Sequence, residues 1–145
     1  MAEESAVSAS TPGRPRWSVA PYFIVDDVVA TANYYRETLG FEFTRFWGEP
    51  PCFTIMTRNG AAIMLSQFEQ AGLMRPNSIA DPDGGAWDAY IWIDNADALY
   101  AEFGRKSVTI VQPICNQEYG CREFTIRDCN GYTLGFGQNI EPSAS

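Results

Sequence analysis

Two stretches of the chain carry the same alternation of apolar and polar positions around an Asn-Gly pair. Residues 53–65 (FTIMTRNGAAIML) align without a gap on residues 124–136 (FTIRDCNGYTLGF), 71 positions further along. Each copy is a run rich in β-branched and aromatic residues, then Asn-Gly, then a second such run. This pattern is typical of a β-hairpin, because Asn and Gly tolerate the positive φ angles of a tight turn. Two hairpins in one register indicate a duplicated unit.

A second pair of similar segments opens each unit. Residues 22–27 (YFIVDD) resemble residues 90–95 (YIWIDN) at an offset of 68. A small insertion in the second unit reconciles this offset with the first. Each segment is alternating and β-branched, as a strand is, and each leads into a helical pattern. Each unit is therefore predicted to be βαβββ.

The helices are indicated by apolar spacing and by capping residues. Asp26 or Asp27 can accept a hydrogen bond from a first-turn N–H, and so can Asp94 or Asn95 in the second unit. One helical face of the first unit carries Val28, Ala32, Tyr35 and Leu39. The predicted order is a strand at 19–25, a helix ending at Gly40, a strand at 41–46 and a hairpin of 52–58 with 61–67; then a strand at 87–93, a short helix ending at Gly104, a strand at 109–113 and a hairpin of 122–127 with 132–137.

The chain is predicted to form one domain with short extensions. Residues 68–86 lose all periodicity and are rich in Pro, Gly, Asn and Asp, so they are the linker between two modules. The predicted organisation is an N-terminal disordered arm (1–16), one domain (17–139, with module one at 17–67 and module two at 87–139) and a tail (140–145).

Composition narrows the function classes. The net charge is −8, which disfavours nucleic-acid binding because phosphate recognition needs a basic face. No run is long and apolar enough to span a membrane, and the N-terminus lacks the pattern of a signal peptide. The four cysteines form no C-x-x-C pair and there is no histidine. These features predict a cytoplasmic protein with free thiols, no nucleic-acid or membrane partner and no cofactor.

The repeat carries a resemblance to a known family. An aromatic pair and arginine (34–36) precede Leu-Gly-Phe (39–41), and Asp128-x-Asn130-Gly131 lies in the closing hairpin. In this the chain resembles the vicinal-oxygen-chelate superfamily, which holds glyoxalase I, extradiol dioxygenases, fosfomycin-resistance enzymes and bleomycin-resistance proteins. The resemblance implies an α+β fold in which two tandem βαβββ modules form a curved mixed β-sheet, with helices on the outer face and a cleft on the concave face.

The same resemblance implies where a metal would bind. Metal-dependent members place His or Glu on the first and last strands of each unit. Those places fall at Ala20 and Met64 in module one, and at Asp88 and Gly135 in module two. Only Asp88 offers a strong donor, whereas a divalent catalytic site needs about three protein ligands. We therefore expect no metal site and no metal-dependent activity.

Strand alternation predicts the residues of the cleft. Side chains two apart share a face, and the face of the lost ligands mixes aromatic, polar and acidic groups while the other is uniformly apolar. This mixture is typical of a ligand cleft. The predicted ligand-binding residues are Tyr22, Trp47, Met64, Ser66, Asp88, Tyr90, Trp92 and Gly135. The aromatic residues among them could instead cover a dimer interface or fill the core, and Asp88 could serve only as a paired surface carboxylate.

Three functions remain open on these grounds. The resemblance to bleomycin-resistance proteins implies a non-catalytic homodimer that sequesters a cationic glycopeptide by aromatic stacking and carboxylate attraction. An enzyme of lyase or isomerase type with a relocated site is the first alternative, with Asp88 as general base, assisted by Tyr22 or Tyr90. A dimeric scaffold with a vestigial cleft is the second.

Overall fold

The structure, a computed structural model, describes residues 17–141 as two successive repeats of strands and one helix. Its elements are β1 (Tyr22–Val25), α1 (Val28–Glu37), β2 (Phe53–Arg58), β3 (Ala61–Gln67), a 3-10 turn (Asn77–Ile79), β4 (Ala89–Trp92), α2 (Ala96–Arg105), β5 (Thr109–Asn116), β6 (Cys121–Arg127) and β7 (Thr133–Asn139). The predicted arm (1–16) and the last four residues of the predicted tail lie outside the described residues.

The strands form two open sheets. The first has the order β1-β3-β2, and the second has the order β4-β7-β6-β5. In each sheet the first strand of the repeat runs parallel to the last, and the hairpin strands run antiparallel. The predicted α+β fold of two tandem modules is therefore confirmed.

Strand register confirms the offset of 68 for the first strands and the offset of 71 for the last strands, but it corrects the offset for β2 and β6. Tyr22 lies opposite Met64 and Tyr90 lies opposite Gly135, so offsets of 68 and 71 hold for these strands. However, Met64 faces Ile55 on β2, whereas Gly135 faces Thr125 on β6, an offset of 70 (125 − 55). The gapless alignment of the two hairpins is therefore wrong by one residue in β2 and β6.

The two hairpin turns explain this slip. Asn59 and Gly60 form a two-residue turn with φ angles of 48° and 90°. In the second hairpin Asp128 N–H donates to Tyr132 O, which leaves one more residue in the turn, with Gly131 at φ 91°. Such longer turns place glycine in the left-handed position. Because of this extra residue, an alignment that matches the two Asn-Gly pairs shifts β6 by one residue relative to β2.

The predicted strand at 41–46 is wrong as a continuous element. Only two isolated bridges tie this segment to β2, one from Glu42 to Thr57 and one from Trp47 to Phe53. Between them the carbonyl of Arg45 accepts the side-chain hydroxyl of Thr54 (2.7 Å), so a side chain replaces the backbone ladder. The first strand is also shorter than predicted and begins at Tyr22.

Both helices are capped by predicted residues. Asp27 accepts from Ala30 N–H and Asn95 accepts from Ala98 N–H, each at 3.0 Å. These bonds satisfy first-turn donors that have no partner within the helix. The two helices therefore start at equivalent points of the repeat and pack on the same side of their sheets.

One hydrophobic core serves both modules. The strand face predicted to be apolar is buried in it: Phe23, Val25, Ile63, Leu65, Leu134 and Phe136 are each at most 4% exposed. The ring of Phe23 in module one stacks on Tyr132 in module two, with centroids 4.2 Å apart and planes within 4°. Stacked aromatic pairs add to the stabilisation that burial alone supplies.

Polar contacts fix the modules relative to each other. The buried carboxylate of Asp128 accepts from Tyr35 Oη (2.6 Å) and from two N–H groups of its own turn. Burial raises the pKa of Asp128, although these hydrogen bonds act in the opposite direction. Elsewhere Arg58 donates two hydrogen bonds to Glu102 of α2, both at 2.9 Å. One face of each sheet therefore packs in the shared core. The opposite face of the β1-β3-β2 sheet is here called the first outer face, and that of the β4-β7-β6-β5 sheet is called the second outer face.

Candidate functional site

The first outer face is a half-exposed aromatic surface on module one. Phe53 lies at its centre, 5.8 Å from the ring of Trp47 and 6.3 Å from that of Tyr22. Tyr22 is 53% exposed and Trp47 is 38% exposed. The guanidinium of Arg45 lies 4.8 Å from the Trp47 ring, a cation–π contact. Four predicted site residues belong to this face (Tyr22, Trp47, Met64 and Ser66), although Ser66 is buried.

The second outer face is built on two glycines of β7. Trp87, Tyr90 and Trp92 form a row of edge-to-face rings, with successive centroids 4.5 and 5.1 Å apart. A Cβ on Gly135 would come within 2.6 Å of the Trp87 indole nitrogen, and one on Gly137 within 2.5 Å of Tyr90 Cζ. The missing side chains therefore let Trp87 and Tyr90 pack directly against the backbone of β7. Trp92, at the end of the row, is 65% exposed.

A buried carboxylate lies beneath this row. Glu123 of β6 is only 1% exposed. Its Oε1 accepts from Tyr90 Oη (2.8 Å), and its Oε2 accepts from Tyr119 Oη (2.8 Å) and Gln117 Nε2 (3.4 Å). Burial, together with the hydrogen bond to Glu123, raises the pKa of Tyr119 to about 12. Burial is also the main cause of the raised pKa of Tyr90, so both phenols keep their protons at neutral pH.

Both carboxylate oxygens of Asp88 accept hydrogen bonds from the backbone. Its Oδ1 accepts from Asn77 N–H (2.9 Å) and its Oδ2 accepts from Thr133 N–H (2.8 Å). Arg127 holds the same linker through the carbonyls of Pro82 and Gly84. Asp88 thus ties the linker to β7 and positions Trp87, its neighbour in the chain.

The metal-ligand positions implied by the resemblance do not fit a metal. Both oxygens of Asp88 are engaged by backbone N–H groups, and the Trp87 indole covers Gly135. Ala20 and Met64 supply no strong donor. Within residues 17–141 no three His, Cys, Asp or Glu side chains come together as a metal-binding group.

A groove of about 730 Å³ lies between the modules, and Tyr90 and Trp92 are among the residues that line it. Its apolar wall includes Ile63, Ile91, Leu99 and Phe103, and the Arg58–Glu102 pair forms part of its rim. Arg58 and Glu102 are paired with each other, and Asp94, which also lines the groove, has no ion pair within residues 17–141. The outer faces offer exposed rings and an acceptor group instead, so we place the candidate site on them.

The sequence reasoning missed Phe53, Trp87 and Glu123. Strict alternation within Glu123-Phe124-Thr125-Ile126-Arg127 would have found Glu123, because it shares the face opposite the buried Phe124 and Ile126. The shifted alignment hid it by pairing Phe53 with Phe124 rather than with Glu123. No alternation signal exists for Trp87, which precedes β4 and reaches Thr125 Oγ1 with its indole N–H (3.0 Å).

Comparison with known proteins places these features in context. Residues 18–136 match the family model described as Glyoxalase/Bleomycin resistance protein/Dioxygenase superfamily. A comparison with curated proteins gave no significant match. In the part of the chain that the structure describes, neither α1 nor α2 is long and apolar enough to cross a membrane.

Solved structures share the fold. The bleomycin-binding protein from bleomycin-producing Streptomyces verticillus, complexed with copper(II)-bleomycin, is 25% identical (TM-score 0.61; 85% of this chain and 96% of that chain covered). TnmS3, an antibiotic binding protein from Streptomyces sp. CB03234, is 21% identical (0.59; 87% and 99%). A glyoxalase-related enzyme from Clostridium phytofermentans is 18% identical (0.66; 89% and 99%).

Proposed function

The chain belongs to the Glyoxalase/Bleomycin resistance protein/Dioxygenase superfamily, and from this membership we propose that it is a non-catalytic protein that sequesters a cationic, aromatic small molecule. The observation that carries the proposal is the row of Trp87, Tyr90 and Trp92 above a buried carboxylate, with Trp87 and Tyr90 packed on Gly135 and Gly137. Flat rings bind flat heterocycles by stacking, and rings and carboxylates both attract cations. Sequestration requires neither a nucleophile nor a metal.

We propose further that the ligand cleft is completed in a cytoplasmic homodimer. The predicted ligand-binding residues divide between the two outer faces, with Tyr22 and Trp47 on the first and Tyr90 and Trp92 on the second. The strands β1 and β4 lie at the edges of their sheets, beside the exposed rings of Tyr22 and Trp92. The first outer face of one copy against the second outer face of another would bury both and enclose a cleft.

The known ligands of two similar structures suggest the ligand class. One is a bleomycin-binding protein and another is an antibiotic binding protein. Bleomycin combines flat heterocycles with a positive tail, the two features that the second outer face suits. The predicted ligand-binding residues remain part of this proposal, with Asp88 as the residue that positions Trp87.

The test is a titration of the purified protein with metal-free bleomycin, followed by tryptophan fluorescence and calorimetry. We expect saturation at about one drug per subunit, and dimers by light scattering. Trp92→Ala should abolish binding, whereas Trp17→Ala, which removes an indole that is 98% exposed, should leave it unchanged. No binding at ~100 μM, weaker than roughly −5.5 kcal/mol, would reject the proposal.

A further inference from the structure

Glu123 is a carboxylate enclosed by neutral donors. Tyr90, Tyr119 and Gln117 donate to its two oxygens, and no basic side chain within residues 17–141 forms an ion pair with it. Both oxygens of Glu123 therefore serve as acceptors. Its neighbour Arg122 binds Asp97 instead. A buried carboxylate without a cation is costly, and a cationic group beside it would recover that cost.

An exposed tyrosine contacts this carboxylate. Tyr119 lies in the turn between β5 and β6, is 59% exposed, and donates its hydroxyl to Glu123 Oε2. The exposed ring of Trp92 stands beside Tyr90 on the same face, 5.1 Å away. A rotation of Tyr119 would therefore open Oε2 towards solvent between aromatic rings.

We propose that Glu123 anchors an alkylammonium group of the ligand, which takes the place of the Tyr119 hydroxyl. This inference rests on the proposed function, because it names the ligand chemistry of the same cleft. An ammonium bearing N–H groups replaces the lost donor and adds opposite charge, while the rings of Tyr90 and Trp92 attract the cation. A quaternary ammonium carries the charge but no donor, so the hydrogen bond that Tyr119 gives to Oε2 would be lost without a replacement.

The first measurement compares three probes on the full chain: n-butylammonium, tetramethylammonium and n-butanol. Each is titrated at low salt and followed by tryptophan fluorescence and ligand-observed NMR. We expect n-butylammonium to bind at least tenfold more tightly than either of the others, a difference of about 1.4 kcal/mol. If n-butanol bound as tightly as n-butylammonium, the positive charge would not contribute to binding. If tetramethylammonium bound as tightly, the N–H donors would not contribute. Either outcome overturns the inference, as does the absence of n-butylammonium binding.

Variants then locate the effect. Glu123→Gln should weaken n-butylammonium at least tenfold, whereas Glu118→Gln, which removes an exposed charge from the same turn, should change it less than twofold. Tyr119→Phe keeps the aromatic ring but removes the hydroxyl that competes for Glu123. This variant should therefore bind n-butylammonium at least as tightly as the wild type. If Tyr119→Phe loses binding, or a folded Glu123→Gln retains it, Glu123 is not the anchor. Near-UV circular dichroism establishes that each variant is folded.

The two proposals fail separately. If bleomycin does not bind while n-butylammonium binds in a Glu123-dependent way, the drug-sequestering function falls and the ammonium subsite stands. If bleomycin binds equally well to the wild type and Glu123→Gln, sequestration stands and the ammonium subsite falls.

Discussion

Gly137→Ala tests whether the second outer face depends on missing side chains. The added Cβ would lie 2.5 Å from Tyr90 Cζ and 2.9 Å from Cε1, and closer still to the hydroxyl oxygen. Real Cβ atoms do not approach that closely, so the ring of Tyr90 must leave the sheet. Overpacking of this kind costs about 1–3 kcal/mol. The displaced phenol also leaves the buried Glu123 without one donor, at about 1–3 kcal/mol.

We therefore expect Gly137→Ala to lower the free energy of unfolding by about 2–6 kcal/mol. For a chain of this size that corresponds to a fall in Tm of about 6–18 °C, measured by thermal and denaturant unfolding. The matched control is Gly104→Ala in α2, where an added Cβ meets nothing within 4 Å. That substitution should stabilise the protein by about 0.5–1 kcal/mol, because alanine loses less conformational freedom in a helix.

A double-mutant cycle shows whether Tyr90 is the cause. In a Tyr90→Ala background the clash disappears, so Gly137→Ala should then cost less than about 0.5 kcal/mol. Equal costs in both backgrounds would refute the steric argument and point to the backbone of β7 instead.

Two further predictions concern the joint between the modules. Asp128→Ala should destabilise the protein by about 2–4 kcal/mol in denaturant titrations, since it leaves the Tyr35 hydroxyl and two N–H groups unpaired, whereas Tyr35→Phe should cost only about 1 kcal/mol; similar losses for both would contradict this. Burial, assisted by the Asp128 charge, raises the pKa of Tyr34 and Tyr132 from 10.0 to about 12. Because the folded-state pKa is the higher one, this stabilisation is complete below pH 10 and is lost as the pH rises through 12, as absorbance titration at alkaline pH and unfolding at each pH would show. Phenols that all titrate near pH 10 in the folded protein would disprove it.

Local pattern predicted most of the fold. Alternation assigned Phe23, Ile63 and Leu134 to the core and Tyr22 and Tyr90 to the opposite faces, because a strand has only two faces and one must be dry. The repeat offsets of 68 and 71 also hold for the first and last strands of the repeats, although not for β2 and β6.

The parts that sequence reasoning missed depend on contacts between distant segments. Glu123 was hidden by one additional turn residue, since a one-residue shift moves every side chain to the other face. Trp87 owes its place to the linker, which Arg127 and Asp88 hold against module two. The segment at 41–46 has strand-like residues, but the Thr54 side chain takes the carbonyl that a ladder would use. Local propensity contains none of this information.

The single core shared by the two repeats has a consequence for how the chain can be divided. Neither repeat buries its helix-bearing side alone, since Phe23 packs on Tyr132 and Arg58 pairs with Glu102 across the boundary. A lone repeat would need a second copy to cover that surface, so the present chain is the covalently fused form of such a pair. Two fragments cut within 68–76 and produced separately should remain largely unstructured, yet regain the native circular dichroism when mixed.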